Sequence, residues 1–190
     1  VGRSRTVEQF LLSAARKRAF QVIVVESAPS CTGHEMAANL TAANIDTVLV
    51  SDAAAFAMMS RVNKVIVGCH AVTANGGIIG RTGTRIVAAC AKHFSTPVCV
   101  VTGMYKVTPI YPENHGDFNL LGSPDDVVRF SNSELVRDNI EILNPQFDYV
   151  PPNLISLLIT NQGGNPPTYV YRLLGELYDS EDYDIEMPLR

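Results

Sequence analysis

Short runs of apolar residues alternate along this chain with segments in which apolar residues recur at helical spacing. The clearest runs are Val22–Val25, Thr47–Val50, Val65–Val67 and Val98–Val101. Runs rich in β-branched residues are typical of strands that are buried on both faces of a sheet. Strands that alternate with helices form βαβ units with right-handed crossovers. The pattern therefore predicts an α/β domain with a mostly parallel sheet and helices on both faces.

Capping signals predict where several helices begin. Thr6 and Gln9 have the spacing of a capping box, so Thr6 is the expected N-cap of the first helix. Asp52 is expected to cap a short helix over Ala53–Ser60. The remaining predicted elements are helices over residues 36–43 and 85–93, a helical turn after Pro151 and Pro152, a last strand near Leu157–Thr160, and a final helix that starts at Pro166 or Pro167.

The stretch from Val65 to Thr84 combines a strand, a glycine-rich loop and the start of a helix. This order of elements is where α/β proteins place phosphates and catalytic groups. Thr82 and Thr84 are expected to cap the helix, and Arg81 adds a positive charge beside it. The loop contains neither G-x-G-x-x-G nor G-x-x-x-x-G-K-[ST], so a plain connection without a ligand stays open as an alternative.

The four cysteines show no paired C-x-x-C spacing, and buried, reduced thiols of a cytoplasmic protein are the expected state. Cys31 and His34 have C-x-x-H spacing, and Cys69 and His70 follow another predicted strand. These residues could form a zinc site or a nucleophilic Cys–His pair. Structural zinc sites usually carry two well-spaced ligand pairs, which this sequence does not show. A nucleophilic Cys–His pair needs a third group to orient the histidine, and nothing in the sequence marks one. We expect neither a metal nor a cofactor.

Composition narrows the class of protein. Hydrophobic residues make up 46% of the 190 residues and charged residues 18%, which predicts a single globular domain over residues 1–190. The net charge of −4 argues against direct binding of nucleic acid or of a membrane surface. The chain begins with Val1 rather than Met, so we expect a fragment or a processed piece.

Two segments depart from the regular alternation of elements. Residues 102–136 contain several prolines and glycines, and a connection of this length is typical of an interface or a flexible loop. Residues 179–190 are acidic and are expected to form a solvated tail.

Several segments resemble the C-terminal domain of one family, the alpha, beta and delta regulatory subunits of translation initiation factor 2B. The similar segments are Ser4–Arg18, Val22–Met36, Asp52–Gly68, Ala74–Gly77, Gly83–Thr84 and Ala91–Val98. The ending Phe147–Tyr178 is most similar to the beta branch of the family. The resemblance implies a Rossmann-like fold and an N-terminal helical domain that is absent from this chain.

The same family is similar in fold to sugar-phosphate isomerases, including methylthioribose-1-phosphate isomerase. By that resemblance, His70 stands where those enzymes carry a catalytic aspartate, Ala28 where an arginine holds the phosphate, and Thr32 where they carry a glutamine. The replacements imply a scaffold that has lost isomerase chemistry. A vestigial anion loop would remain, formed by Asn75, Gly76, Gly77, Arg81, Gly83 and Thr84. The alternative is a sugar-phosphate isomerase or a small-metabolite sensor that uses this loop.

The resemblance also implies a function and partners. The chain would be a non-catalytic, cytoplasmic subunit of the complex that exchanges GDP for GTP on translation initiation factor 2 and senses phosphorylation of that factor. The delta subunit would be its most direct partner, with the gamma and epsilon subunits in the same complex, and self-association of the isolated domain is left open. Candidate partner-interface residues are Tyr169, Tyr171, Arg172, Leu174 and Tyr178, and candidate basic residues near a phosphorylated partner are Arg61, Arg81, Lys106 and Arg129.

Overall fold

The computed structural model describes residues 1–112, 119–129 and 140–179. The helices are α1 (Arg5–Ala15), α2 (Thr32–Ala42), α3 (Ala55–Met59), α4 (Thr84–His93) and α5 (Val170–Leu177). The strands are β1 (Gln21–Val25), β2 (Asp46–Val50), β3 (Val65–Gly68), β4 (Ala71–Val72), β5 (Ile78–Arg81), β6 (Val98–Val101), β7 (Phe147–Val150), β8 (Leu157–Thr160) and β9 (Gly163–Asn165).

The strands form three hydrogen-bonded groups. In the largest group the order is β3-β6-β8-β9, with β3, β6 and β8 parallel and β9 antiparallel at the edge. Strands β1 and β2 form a separate parallel pair. Strands β4, β5 and β7 form an antiparallel sheet. The predicted α/β class with parallel strands is confirmed, and the antiparallel sheet is an addition that the sequence pattern did not predict.

Helices lie on both faces of the parallel strands, as predicted. Helices α3, α4 and α5 contribute to one cluster of buried apolar residues, which includes Val98 and Val100 of β6. Helices α1 and α2 contribute to a second cluster, which includes Val101 of the same strand. Successive side chains of a strand point to opposite faces, so β6 separates the two cores. Within the described ranges, no helix is long and apolar enough to cross a membrane.

The predicted caps of the first helix and of the helix after β2 are wrong. Ser4, rather than Thr6, is the N-cap of α1, and its hydroxyl accepts the backbone N–H of Val7 at 3.5 Å. Asp52 does not cap the helix that follows it. Its carboxylate instead accepts the backbone N–H groups of Ser27 and Ala28, at 3.1 and 2.6 Å. Asp52 does accept backbone N–H groups, as a capping residue does, but these groups belong to a turn that is distant in sequence.

The burial predicted for the first two strands is also corrected. Strands β1 and β2 were expected to be buried on both faces, yet both contain exposed and half-buried positions, and Leu49 is 42% exposed. These strands pair with each other and not with the larger sheet. A two-stranded sheet leaves more of each strand in contact with solvent than a central position does.

The predicted glycine loop is an antiparallel hairpin. Strand β4 turns into β5, and β5 pairs along its length with β7 in the register Ile78 to Val150 and Arg81 to Phe147. Gly83 is the N-cap of α4, so neither threonine caps the helix. Thr82 donates instead to the backbone carbonyl of Pro145 at 2.6 Å, and Thr84 is the first helical residue. The partner strand of β5 lies far along the chain, so local spacing did not reveal it.

The later elements follow the prediction more closely. The turn after the first proline pair (Pro152–Leu154), strand β8 and the final helix are confirmed. Helix α5 begins at Val170, after a 3₁₀ turn over Pro167–Tyr169, rather than at Pro166 or Pro167, and β9 follows β8 as a further strand. Within the predicted interface segment 102–136, short 3₁₀ turns occur at Met104–Lys106 and Pro124–Asp126. Positions 113–118 and 130–136 of that segment lie outside the described residues, as do positions 180–190 of the predicted acidic tail.

Candidate functional site

The six residues of the predicted anion loop lie at two ends of strand β5. Asn75, Gly76 and Gly77 form the turn before the strand, while Arg81, Gly83 and Thr84 lie where the strand ends and α4 begins. A four-residue strand separates the two groups by about 13 Å. The structure therefore places these residues in two local sites rather than in one cradle.

The turn before β5 is held by contacts within the protein. The Asn75 side-chain oxygen accepts the backbone N–H of Gly77 at 3.0 Å and the hydroxyl of Thr73 at 2.7 Å. The Asn75 amide donates to the hydroxyl of Tyr149 at 2.7 Å. Gly76 has φ +82°, and a Cβ there would lie 2.3 Å from the carbonyl oxygen of Pro167. The polar groups of this turn stabilise the hairpin, and Gly76 lets it pack against the 3₁₀ turn (Pro167–Tyr169) that precedes α5.

The second local site is the N-terminus of helix α4. Its backbone N–H groups could bind an anion because they lack acceptors within the helix. The carboxylate of Asp148 already accepts the N–H of Gly83 at 2.7 Å and that of Arg85 at 3.3 Å. An aspartate from β7 thus takes the place that a phosphate would take at this helix.

A shallow polar cleft lies beside this helix start. It is lined by residues from four separate segments, including Ser27, Ala28, Arg81, Thr82, Asp126 and Gln146. Arg81 and Asp126 contribute opposite charges to the lining. The backbone N–H groups of Ser27 and Ala28 are bound to Asp52, as described above. The cleft therefore has no excess of positive charge in its lining, and the amides of Ser27 and Ala28 are not free to bind a phosphate.

The positions that differ from the isomerases have structural contacts of their own. Ala28 binds Asp52 through its backbone, and the Thr32 hydroxyl accepts the backbone N–H of Arg3 at 3.2 Å. The ring of His70 lies 4.9 Å from that of Phe147, measured between centroids. His70 is exposed, and this aromatic contact orients its ring.

The cysteines fall into two environments. Cys69 is buried and donates its thiol hydrogen to the hydroxyl of Thr102, with 3.2 Å between sulfur and oxygen. Burial raises the pKa of the Cys69 thiol, while the hydrogen bond with Thr102 and the charge of Lys106 act in the opposite direction. A thiol with a raised pKa is a poor nucleophile at neutral pH. Cys31 is half-buried and lies in a different cluster, with Glu26 and His34.

The five candidate interface residues on and around α5 divide into two sets. Tyr171 is 77% exposed, and the exposed Arg172 lies 5.6 Å from the ring centroid of the half-buried Tyr169. Leu174 is 2% exposed and belongs to the core, while the Tyr178 hydroxyl donates to a backbone carbonyl of the segment after β6. Tyr171 and Arg172 are thus the candidates on the outer face of the helix.

The segment between β6 and β7, which includes most of the predicted segment 102–136, exposes many large apolar side chains, here called the apolar surface. Its large side chains are between 47% and 82% exposed: Tyr105, Ile110, Tyr111, Leu120, Leu121, Val127, Ile140 and Leu143. Where exposed apolar side chains form a contiguous patch, they are typical of a protein–protein contact. The sequence predicted an interface or a flexible loop for residues 102–136 but did not predict which side chains are exposed.

The chain matches the sequence profile of the initiation factor 2 subunit family over residues 1–167. It is 54% identical over 182 residues to the eIF2B subunit beta of Dictyostelium discoideum, covering 96% of this chain and 47% of that protein. It is 49% identical to the eIF2B subunit beta of Schizosaccharomyces pombe, covering 95% and 46%. The eIF2B subunit alpha of Dictyostelium discoideum is 37% identical, covering 93% and 57%. The chain spans about half the length of the curated relatives it matches.

Solved structures of eIF2B subunits are also similar to this chain. The eIF2B beta of Chaetomium thermophilum matches with TM-score 0.71 and 32% identity, covering 95% of this chain and 48% of that chain. A tetrameric eIF2B-beta2-delta2 complex from C. thermophilum matches with TM-score 0.69 and 30% identity, covering 92% and 51%. The 5-methylthioribose 1-phosphate isomerase of Pyrococcus horikoshii matches with TM-score 0.70 at 24% identity, covering 83% and 44%, which shows a shared fold alone. The chain belongs to the initiation factor 2 subunit family.

Proposed function

We propose that this chain is part of a beta-type subunit of translation initiation factor 2B. The subunit would be a non-catalytic, cytoplasmic regulator in the complex that exchanges GDP for GTP on initiation factor 2. The observation that carries this proposal is the difference in identity, which is 54% to a beta subunit and 37% to an alpha subunit of the same organism. Since the chain covers 47% of that beta subunit, we also propose that it is part of a longer protein, and its resemblance to the C-terminal domain of the family supports that place in it.

Two carboxylates beside the cleft support the proposal that the subunit is non-catalytic and has lost isomerase activity. Asp148 occupies the N-terminus of α4, and Asp52 occupies the backbone amides of Ser27 and Ala28. A phosphate that entered either position would meet a negative charge instead of free N–H donors. This arrangement favours a regulatory scaffold over a sugar-phosphate isomerase or a metabolite sensor.

The delta-type subunit is the proposed direct partner, and the apolar surface between β6 and β7 is its proposed docking surface. Tyr105 is 82% exposed there, and Tyr171 adds an exposed ring on α5. Burial of such side chains favours association by about 25 cal/mol per Å² of apolar area removed from water. The solved eIF2B-beta2-delta2 complex of C. thermophilum contains a chain that is similar to this one, which supports the choice of partner.

Sensing of phosphorylated initiation factor 2 would require positive charge near the added phosphate. Of the four candidate cations, Lys106 donates to the backbone carbonyl of Cys69 at 2.7 Å. Arg61, Arg81 and Arg129 are exposed. We propose these three arginines as candidates for contact with the phosphorylated factor.

Substitution of the exposed tyrosines in the full-length parent tests the docking surface. Tyr105→Ser and Tyr171→Ser should each weaken capture of the delta-type subunit by about tenfold, because exposed aromatic side chains often dominate interface energies. Ile86→Ser is the matched control, since Ile86 is 62% exposed on α4 and lies outside the proposed surface. Equal capture by all variants would exclude this surface, and equal loss in all variants would indicate a general defect.

A further inference from the structure

Glu26, Cys31 and His34 converge at the carboxyl end of strand β1. One ligand atom from each residue lies within 4.8 Å of the other two. The Glu26 carboxylate and the His34 Nε2 are 3.6 Å apart. Carboxylate, thiolate and imidazole are the three side-chain groups that bind zinc in proteins.

The backbone between the three residues fixes their approach. The Cys31 N–H donates to the carbonyl of Ser27 at 2.8 Å, and the Gly33 N–H donates to the carbonyl of Glu26 at 2.9 Å. A Cβ on Gly33 would lie 2.4 Å from the carbonyl oxygen of Val25, so a glycine lets α2 start directly against the end of β1. The backbone of the βα connection therefore holds the three residues close together.

The spacing of the ligand atoms suits a tetrahedral ion. Two ligands at about 2.1 Å from a tetrahedral zinc lie roughly 3.4 Å apart, close to the observed oxygen–nitrogen separation. The His34 side chain is 56% exposed and the Glu26 side chain 27%, so both can adjust by the ångström that contact with a shared ion requires. This exposure also leaves room for water in a fourth position.

The surrounding charges favour a cation over a simple ion pair. The neighbouring cation, Arg3, is engaged by the carboxylates of Glu8 and Glu35 and so adds little repulsion. An exposed histidine–glutamate pair by itself contributes little to stability. Such a pair also gives no role to Cys31, which takes the left-handed conformation at φ +48° beside it.

We propose that Glu26, Cys31 and His34 bind one divalent ion of the zinc class, with water in the fourth position. The bound ion ties the end of β1 to the start of α2. Because a metal that binds only the folded state stabilises it, the ion raises the melting temperature in a concentration-dependent way.

Titration with Co²⁺ tests the proposal directly, with the purified, reduced protein free of any histidine tag. The wild type should develop a thiolate-to-cobalt charge-transfer band together with the intense visible bands of four-coordinate cobalt, and Zn²⁺ should bleach both. Cys31→Ser should abolish the charge-transfer band. His34→Gln and Glu26→Gln should each weaken binding at least about tenfold, since even the loss of a supporting contact costs that much.

Matched substitutions outside the cluster are Cys90→Ser and His93→Gln, and both should bind Co²⁺ as the wild type does. Circular dichroism establishes that each variant is folded, and the zinc-dependent rise in melting temperature gives a second readout for any variant with weak absorption. The proposal is overturned if the wild type shows no charge-transfer band, if Cys31→Ser retains it, or if Cys90→Ser loses it while folded.

Discussion

The carboxylate of Asp148 accepts the backbone N–H of Gly83 at 2.7 Å, across 65 residues of chain. It also accepts the N–H of Arg85 at 3.3 Å. Strand β7 therefore supplies the anion that helix α4 needs at its positive end. This contact joins the antiparallel sheet to the helix and replaces the phosphate that the glycine-rich stretch suggested.

Substitution of Asp148 should destabilise the fold. Asp148→Ala removes the acceptor of two helix N-terminal amides, and loss of such a cap costs about 1–2 kcal/mol in the free energy of unfolding. Asp46→Ala is the control, because the exposed Asp46 carboxylate contacts the Gln21 amide and no helix end. It should change the free energy of unfolding by less than about 0.5 kcal/mol. Urea unfolding of both variants gives the comparison, and equal effects would argue against the capping role.

Two glycines should respond to alanine in opposite directions. At Gly76 the backbone has φ +82° and a Cβ would lie 2.3 Å from the Pro167 carbonyl oxygen, so Gly76→Ala should cost about 2 kcal/mol or more. At Gly175, within α5, nothing lies within 4 Å of a built Cβ. Gly175→Ala should therefore stabilise the protein by about 0.5–1 kcal/mol. Thermal unfolding measures both, and a stable Gly76→Ala variant would contradict the hairpin packing.

Local pattern was sufficient to predict the parallel strands and the last helix. Val65–Val67 and Val98–Val101 are short apolar runs between helical stripes, and the structure pairs them in parallel. Helix α5 follows from the proline pair that opens the turn before it and from apolar residues, such as Leu173 and Leu174, on one face. In both cases the information lies within a few consecutive residues.

The contacts that decide the site depend on residues far apart in sequence. Asp52 looked like a local cap, but its carboxylate binds the amides of Ser27 and Ala28, more than twenty positions earlier. Asp148 and Gly83 are likewise joined only by the pairing of β5 with β7. Periodicity and spacing describe one segment at a time, and for that reason the sequence predicted an open anion loop.

Alkaline pH should weaken the protein partly through Cys69. Burial raises the pKa of this thiol in the folded state, so the unfolded state loses the proton first as pH rises. The stability that the neutral thiol contributes is complete below about pH 8.5, the ordinary thiol value, and is lost as pH rises towards the folded-state pKa. Cys69→Ser keeps a donor for Thr102 but does not ionise. Urea midpoints from pH 7 upwards should fall less steeply for this variant, and parallel curves would contradict the prediction.

Sugar phosphates should not stabilise the protein. A scan of melting temperature against ribose phosphates and nucleotides should stay flat into the millimolar range, because Asp52 and Asp148 occupy the amides that would bind phosphate. A ligand at one hundred times its Kd would add about 2.7 kcal/mol and a clear shift. A dose-dependent rise that Arg81→Ala or His70→Ala abolishes would instead favour the isomerase or sensor alternative.

The most direct test of the proposed function is to identify the partners of the full-length parent. The tagged protein is purified from a lysate of its own cells, and the captured proteins are identified by mass spectrometry. We predict recovery of the other initiation factor 2B subunits, with the delta-type subunit most abundant, together with initiation factor 2. Recovery of a homo-oligomer without any of these partners would contradict the account.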